Sequence, residues 1–325
     1  MANPSWEKVA QESELPFFPL EEASKEAIAA SLKKACLGAH LLVSSPLLPI
    51  APLVAKASGI PWVPSVLSPL QLALATANAP AFSPLLEARQ KAIAAWEAFA
   101  SDKKKGSLAH AWEETPLILA FFSEVFAPRE AFWPKQVSTV GFLFPGDEKR
   151  LAYPLPEAFL AEGPPPVVVS GSSWAWMEEK DFFSAAEIAI AALGLRGIFL
   201  IGKKAFLPSL PNCLGLAYAP HHLLLPRASA IIHHGGIGTL AAALRAGIPQ
   251  VVVPQGLDQP DNAKCLQSLG AGEIAGADAE SIAEKLAMVL DDIKIQNKIN
   301  EISKVIEKQN AILETMEAIE EFIYF

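Results

Sequence analysis

The sequence predicts an α/β protein built from parallel sheets, and three observations lead to this prediction. Short apolar segments rich in β-branched residues alternate with helical segments along both halves of the chain, as in open parallel sheets. Proline, glycine and charged residues interrupt this alternation over residues 144–166. The length, 325 residues, is sufficient for two hydrophobic cores. We therefore expect a first domain at residues 1–150, a linker at 151–165 and a second domain at 166–325.

The N-terminal half contains three candidate strands separated by helices. LPFFPL (Leu15–Leu20) and HLLVSS (from His40) lie on either side of a helix at residues 22–37. A second helix, IAPLVAKASG, ends at Gly59 and leads into the strand IPWVPSVLSP. Residues 82–105 again have helical periodicity.

The C-terminal half restarts the alternation with a strand at residues 167–170 and a helix that Asp181 caps and that reaches Leu193. GIFLIG, CLGLAYAP, AIIHH and QVVVP are the following strands. In the tail, isoleucines at helical spacing predict a long amphipathic helix packed on the body, with a partner-binding coiled coil as the alternative. These isoleucines are Ile295, Ile299, Ile302 and Ile306.

Composition argues against several classes of protein. The net charge of −9 does not suit a general nucleic-acid binder, which needs a basic face. The three cysteines are far apart and form no CxxC motif, which disfavours a disulfide framework or a zinc site and favours the cytoplasm. The N-terminus has no signal-peptide pattern, and prolines interrupt the most apolar window, residues 40–63, before it reaches membrane-spanning length. A peripheral membrane contact or an apolar substrate remains compatible with the 51% hydrophobic content.

The stretch IIHHGGIGT suggests an anion-binding turn. An apolar strand ends at His233 and His234, three glycines follow, and TLAAALRAG is a strong helix former. The unpaired N–H groups of the first helical turn and the helix dipole favour a negatively charged ligand above the strand end. Adjacent strand residues point to opposite faces, so the two histidines do not readily share a metal ion. The alternative is that both histidines only hydrogen-bond the backbone.

Three further strand ends converge on the same edge, where open parallel sheets bind ligands. VVVPQGLDQPDNA places Asp258, Gln259 and Asn262 after the last strand, and Pro260 suits the first turn of a helix that Asp258 or Gln259 caps. Capping is thus the alternative to ligand binding for Asp258. Tyr218 follows another strand and is able to stack on a base. The first strand of this half ends in Gly171, Ser172 and Ser173.

The segments PHHLLLPRASAIIHHGGIGT, AGIPQVVVP, DQPDNA and LGAG, in this order, resemble the family 1 glycosyltransferases of the GT-B fold, on the sterol glucosyltransferase and rhamnosyltransferase side. The resemblance covers residues 166–292. It implies two Rossmann-like domains with parallel sheets facing a cleft, the N-terminal one incomplete and the C-terminal one binding a nucleotide sugar.

The resemblance also implies the role of each donor-site residue. His233 and the amides of the glycine turn would bind the diphosphate, with His234 supporting the fold. Asp258 and Gln259 would bind the sugar. The complete implied donor site comprises Gly171, Ser172, Tyr218, Pro220, His221, His233, Gly235, Gly236, Ile237, Gly238, Thr239, Asp258, Gln259 and Asn262, in which the side chain of Tyr218 and the backbone near Pro220 and His221 hold the base and Thr239 and Ser172 assist the phosphates.

The activity implied is inverting transfer of a hexose from a UDP or dTDP donor to a hydroxyl of an apolar acceptor such as a sterol, lipid or polyketide, without metal or other cofactor. The GxxGDVxP or GHxxP loop with which such enzymes begin is absent from this sequence, so no catalytic base is assigned. The chain is either a fragment of a longer enzyme or a protein that has lost this loop. His40 and His110 lie in other contexts and are interpreted as structural. Ala241 stands where many relatives carry a ribose-binding glutamate, so the base preference stays open.

Two alternatives remain from the sequence. The missing loop favours a non-catalytic nucleotide-sugar-binding protein or subunit. A Rossmann-type dehydrogenase is disfavoured because no GxGxxG follows a strand with an acidic residue some 20 positions later. Nothing in the sequence indicates an oligomeric state.

Overall fold

The computed structural model describes residues 10–11, 16–17, 24–48, 50–73, 108–144, 155–171, 180–202 and 206–324. The predicted helix at 82–105 and most of the predicted strand at 15–20 lie outside these residues. The strands are β1 (Leu42–Ser44), β2 (Trp62–Val66), β3 (Ile118–Ala120), β4 (Val137–Thr139), β5 (Val167–Ser170), β6 (Gly197–Leu200), β7 (Cys213–Leu216), β8 (Ala230–His233), β9 (Gln250–Val252) and β10 (Gly272–Ile274). The helices are α1 (Lys25–Ala35), α2 (Ala51–Ser58), α3 (Pro69–Ala73), α4 (Leu108–Glu114), α5 (Glu157–Ala161), α6 (Lys180–Ala192), α7 (His221–Leu224), α8 (Ile237–Ala246), α9 (Gln259–Ser268), α10 (Ala279–Asp291), α11 (Ile293–Ile306) and α12 (Ala311–Tyr324).

The chain divides into two compact units. The first contains the described residues up to Phe121, Arg129–Val140 and those from Ile312 onward; the second contains Phe122–Pro128 and the described part of Gly141–Ala311. The last helix, α12, is therefore grouped with the N-terminal unit. The domain limits expected from the sequence, 1–150 and 166–325, stay a prediction.

The first unit is built on a parallel sheet with the order β1-β2-β3-β4. Val63 of β2 and Leu119 of β3 are buried at its centre together with Val140, because both faces of a parallel sheet are covered. One face of α12 covers this cluster with Ile319 and Phe322. The apolar residues of α12 thus pack against the core of the first unit.

The second unit carries the larger sheet, with the order β10-β9-β8-β5-β6-β7 and parallel pairing throughout. Strands β5, β8 and β9 are continuous runs of buried residues, as expected for a sheet covered on both faces. Ile198 joins one buried cluster with Ile231 and Ala243 of α8, while its neighbour Phe199 packs with Phe183 of α6. Adjacent residues of β6 therefore pack against two different helical layers.

The tail helix predicted at Ile293 is confirmed as α11. Its four regularly spaced isoleucines are buried, and the Ser303 hydroxyl donates a 2.7 Å hydrogen bond to the carbonyl of Arg245 near the end of α8. The helix ends at Ile306, so the predicted single long helix is two helices, α11 and α12. Among the described helices, none is long and apolar enough to cross a membrane.

Helix ends follow the local signals, with one correction. Gly59 and Gly247 end α2 and α8 in the left-handed conformation, at φ 69° in both, which glycine adopts without steric cost. Asp181 does not cap α6, because the helix already includes Lys180 and Asp181 lies in its first turn. There its carboxylate still faces the positive end of the helix dipole.

Candidate functional site

The carboxyl ends of the central strands of the second unit lie level with one another. Ser170 at the end of β5 pairs with His233 at the end of β8, and His233 pairs with Val252 at the end of β9. On the other side, Ser170 pairs with Leu200 of β6, which pairs with Leu216 of β7. The loops that follow these strands therefore begin at one edge of the sheet, as the sequence predicts.

His233 is completely buried, and both of its ring nitrogens are used inside the fold. The amide of Gly235 donates to Nδ1 at 3.1 Å, so Nδ1 carries no proton and Nε2 carries one. Nε2 donates that proton to Gln250 Oε1 at 2.9 Å. Gln250 is itself oriented by a bond from its Nε2 to the carbonyl of Leu240. His233 has neither a proton nor a lone pair left for a ligand, which differs from the diphosphate contact expected of it.

The surroundings of His233 keep its ring neutral. The pKa of His233 is lowered from 6.5 to about 3, with burial as the largest cause; the nearby His234 and His221 act in the same direction, and the bond with Gln250 acts in the opposite direction. A charged imidazolium in this place would lose hydration that the protein does not replace. His233 therefore stays neutral and links the glycine turn to β9 through its two hydrogen bonds.

The ring of His234 also lies against the glycine turn. Its Nδ1 lies 3.5 Å from the carbonyl oxygen of Ser170, which only accepts hydrogen bonds, so Nδ1 carries a proton. Its Nε2 lies so close to Gly236 that a β-carbon on that residue would come within 2.5 Å of it. The rings of His233 and His234 are nearly perpendicular, with centroids 6.4 Å apart. The Nε2 atom of His234 thus lies beside the residue that starts α8.

The glycine turn has the backbone geometry of an anion-binding helix start. Gly235 has φ 93°, and a β-carbon there would lie 2.9 Å from Val252 Cγ1 and 3.1 Å from the carbonyl oxygen of Gln259. Gly236 is the N-cap of α8 and offers no capping side chain. Gly238 is exposed, and no atom lies within 4 Å of where its β-carbon would be. The first amides of α8 are therefore approachable and lack intrahelical acceptors.

The loop between β9 and α9 is tied to this turn by Asn262. The buried amide of Asn262 donates from Nδ2 to the carbonyl of Gly235 and to Asp258 Oδ2, both at 3.0 Å. The Asp258 carboxylate is therefore held next to the glycine turn. Asp258 occupies the N-cap of α9 with Pro260 behind it, as predicted, but its side chain makes no capping hydrogen bond. The capping interpretation of Asp258 is therefore wrong.

Gln259 has a structural use that the sequence did not indicate. Its side chain is 3% exposed, and its Oε1 accepts from the amides of Gln255 at 2.9 Å and Gly256 at 3.2 Å. The carbonyl end of Gln259 therefore shapes the β9–α9 loop. This carbonyl is thereby engaged within the protein.

Other predicted residues that the structure describes lie at the same edge. Gly171 follows β5 and is half-buried, and Tyr218 follows β7 with 39% of its surface exposed. Pro220 is the N-cap of α7, and His221 begins that helix. Ser172 lies outside the described residues. In the part of the chain that the structure describes, no three His, Cys, Asp or Glu side chains are grouped to hold a metal ion.

Gln250 is the site residue that sequence reasoning missed. It is completely buried in β9 and fixes the tautomer of His233. The available signal was a single polar residue within the apolar run IPQVVVP, since a buried amide requires a partner. Its partner lies 17 residues away in the sequence and is adjacent only through strand pairing.

Comparison with known proteins finds a matching family model and several similar chains. Residues 199–320 match the model of the erythromycin biosynthesis protein CIII-like C-terminal domain. The chain is 29% identical over 206 residues to an O-mycaminosyltylonolide 6-deoxyallosyltransferase of Streptomyces fradiae, covering 62% of this chain and 48% of that protein. It is 38% identical over 152 residues to a vancomycin aglycone glucosyltransferase of Amycolatopsis orientalis, covering 46% and 36%. A sterol 3-beta-glucosyltransferase of Candida albicans is 34% identical over 110 residues, 34% of this chain and 7% of that protein.

The chain thus spans less than half the length of these relatives. Its fold is shared more widely: the glycosyltransferase of kitacinnamycin superposes with a TM-score of 0.75 at 16% identity, covering 98% of this chain and 89% of that one. The α/β architecture with parallel sheets is confirmed by this likeness. Residues 199–320 match the EryCIII-like C-terminal domain model, and the chain shares the GT-B fold of its structural neighbours.

Proposed function

We propose that this protein is a hexosyltransferase that binds a UDP- or dTDP-linked sugar in its second unit and transfers the sugar to a hydroxyl of an apolar acceptor. The single observation that carries the proposal is the glycine turn at the start of α8, with the His234 ring beside it. An anion-binding helix start at the carboxyl edge of a parallel sheet suits a diphosphate. The match of residues 199–320 to a glycosyltransferase family supports the same chemistry.

In this proposal His234, rather than His233, contacts the diphosphate. Its Nδ1 proton is directed to Ser170, so donation from Nε2 to a phosphate oxygen uses the imidazolium form, whose positive charge complements the ligand. The amides of Ile237, Gly238 and Thr239 supply further donors, with the Thr239 hydroxyl and Ser172 assisting. His233 supports the turn by accepting a hydrogen bond from the amide of Gly235.

Asp258 binds hydroxyls of the sugar, and Tyr218 stacks on the base. Both side chains have exposed surface at the sheet edge, which a ligand contact requires. Gln259 contributes through its amide nitrogen, since its carbonyl oxygen is engaged by the loop. The backbone near Pro220 and His221 borders the base, and Gly171 allows close approach of the phosphates.

The chemistry of this site is stabilisation of the leaving nucleoside diphosphate. Negative charge develops on the phosphate as the bond to the sugar breaks, and preoriented amides with a cationic ring lower the energy of that state. This needs no metal ion, and attack of the acceptor from the opposite side inverts the sugar. The acceptors follow from the names of the relatives, which act on a tylonolide derivative, a vancomycin aglycone and sterols.

Titration calorimetry with UDP, dTDP and their glucose derivatives tests the donor site. We expect His234→Ala and Asp258→Ala to weaken donor binding at least about tenfold, the size of one lost charged hydrogen bond. His40→Ala, a change at an exposed histidine of the first unit, serves as the matched control and leaves binding unchanged. Unaltered donor affinity in both site variants would overturn the assignment.

Mass spectrometry of reactions with a sterol, a macrolide aglycone and a glycopeptide aglycone tests the transfer step. A product heavier by one hexose supports the hexosyltransferase. Donor binding without transfer or donor hydrolysis would instead support a nucleotide-sugar-binding protein.

A further inference from the structure

One buried side chain connects the two parts of the site that the proposed function assigns to different portions of the donor. Asn262 lies in the first turn of α9 and is 1% exposed. Its Nδ2 group carries two protons. It donates to the carbonyl of Gly235 and to Asp258 Oδ2, in both cases at 3.0 Å. The first acceptor belongs to the glycine turn and the second is the carboxylate beside it, so one amide group fixes the distance between them.

Both acceptors depend on this amide for their position. Among the described residues, Asn262 is the side chain that donates to the half-buried carboxylate of Asp258, which makes no capping bond to its own helix. At Gly235 the amide donates to His233 Nδ1 at 3.1 Å, and the carbonyl accepts from Asn262. The two backbone polar groups of Gly235 are therefore held by two buried side chains, one from β8 and one from α9.

The remaining atom of the Asn262 amide shows that stability alone does not account for asparagine at this position. Its Oδ1 is buried and has no hydrogen-bond partner in the described part of the chain. A buried acceptor without a partner lowers the free energy of unfolding. Asparagine nevertheless supplies two donors in a fixed plane, whereas serine has one proton to donate and an ionised aspartate has none. The position thus favours two simultaneous donated bonds over complete hydrogen bonding of the side chain.

We infer that Asn262 is a positioning residue that couples recognition of the sugar to recognition of the diphosphate. The inference rests on the proposed function, because it requires the diphosphate at the glycine turn and the sugar at Asp258. With Asn262 in place, a donor held by its diphosphate presents the sugar to a carboxylate that is already oriented. Without this amide the Asp258 side chain is free to rotate, and the sugar has to order it on binding, which weakens the contact.

Titration calorimetry on the full chain with UDP and UDP-glucose, and with the corresponding dTDP pair, tests this coupling, because the members of each pair differ by the sugar. The quantity compared is the ratio of the sugar-nucleotide affinity to the nucleotide affinity. It is measured for the wild type, Asp258→Ala, Asn262→Ala and the double variant. A general loss of stability lowers both affinities alike and leaves this ratio unchanged.

Asn212→Ala is the matched control. Its Nδ2 also donates to a backbone carbonyl of the second unit, that of Leu195. Asn212 immediately precedes β7 and therefore lies at the amino edge of the sheet, opposite the proposed site. The control removes an amide-to-carbonyl bond without touching the glycine turn, so we expect the affinity ratio to stay that of the wild type.

We expect Asp258→Ala to lower the affinity ratio at least about tenfold, the effect of one hydrogen bond to a charged group. Asn262→Ala lowers it about as much, and the double variant lowers it no further, because both changes remove the same contact. In Asn262→Ser one hydroxyl proton serves one acceptor at a time, so this milder second variant lowers the ratio less than alanine does.

An unchanged ratio in Asn262→Ala and Asn262→Ser, or a double variant in which the two reductions add, would overturn the positioning role while leaving the donor site intact. Failure of the wild type to bind the nucleotides, or an unchanged ratio in Asp258→Ala, would instead overturn the proposed function.

Discussion

Acid destabilisation through His233 is a direct consequence of its burial. In the unfolded chain its pKa is the ordinary 6.5, whereas in the fold it is lowered to about 3. Between these values the unfolded chain binds a proton that the native protein does not, so the free energy of unfolding decreases as the pH falls. At pH 5, which is 1.5 units below 6.5, about 1.36 kcal/mol per unit gives a loss of about 2 kcal/mol relative to pH 8. This loss hardly depends on the native pKa, which lies far below pH 5.

The assay is urea unfolding of the wild type and His233→Asn, followed by circular dichroism at pH 8 and pH 5. Asparagine places an oxygen where Nδ1 accepts from Gly235, but it does not titrate. At pH 8 the variant is less stable by about 1–3 kcal/mol, because Gln250 Oε1 loses its buried donor. The other titrating groups are common to both proteins, so the difference between their pH dependences isolates His233.

We expect the stability loss from pH 8 to pH 5 to be about 2 kcal/mol smaller in His233→Asn than in the wild type. Equal losses in the two proteins would show that His233 is protonated without penalty. His233 would then be accessible to an anion, and its assignment as a neutral structural residue would be wrong.

The site makes further predictions. Gly235→Ala destabilises the protein by about 3 kcal/mol, because Gly235 has φ 93° and an added β-carbon would lie 2.9 Å from Val252 Cγ1. Gly238→Ala raises the thermal midpoint slightly, because the space around its β-carbon is open. Equal thermal midpoints of the two variants would contradict this prediction. In chemical unfolding, we expect Asn262→Asp to lower the free energy of unfolding more than Asn262→Ala, because the new carboxylate would face the Gly235 carbonyl and the Asp258 carboxylate. The reverse order would show that the Asn262 amide does not link these two groups.

Much of the fold was predictable because short-range patterns encode it. The buried β-branched runs of β5 and β8 and the helix signals of α8 depend on residues close in the sequence. The helix start at Asp258 and Pro260 is equally local. Asp181 was predicted as the cap of α6 but lies inside the helix, and the tail was predicted as one helix, because helix limits depend on packing as well as on sequence.

The roles of the two histidines show where sequence reasoning ended. Strand alternation separates His233 from His234 but does not indicate which of the two rings enters the core. Gln250 settles this, because it supplies a buried acceptor to His233 through strand pairing. The positive φ of 58° at Leu257 is likewise not indicated by the sequence.

The sequence by itself determined the parallel α/β architecture, the strand–glycine–helix turn and the group of residues that meets at one sheet edge. Periodicity and turn chemistry act over a few residues, and parallel strands bring their carboxyl ends to one side. Only the tertiary structure decided which atoms at that edge are available. The hydrogen bond between His233 and Gln250 occupies one imidazole, and the bond from Asn262 to the Gly235 carbonyl ties the β9–α9 loop to the glycine turn. Both bonds join residues distant in the chain and exist only after the strands have paired.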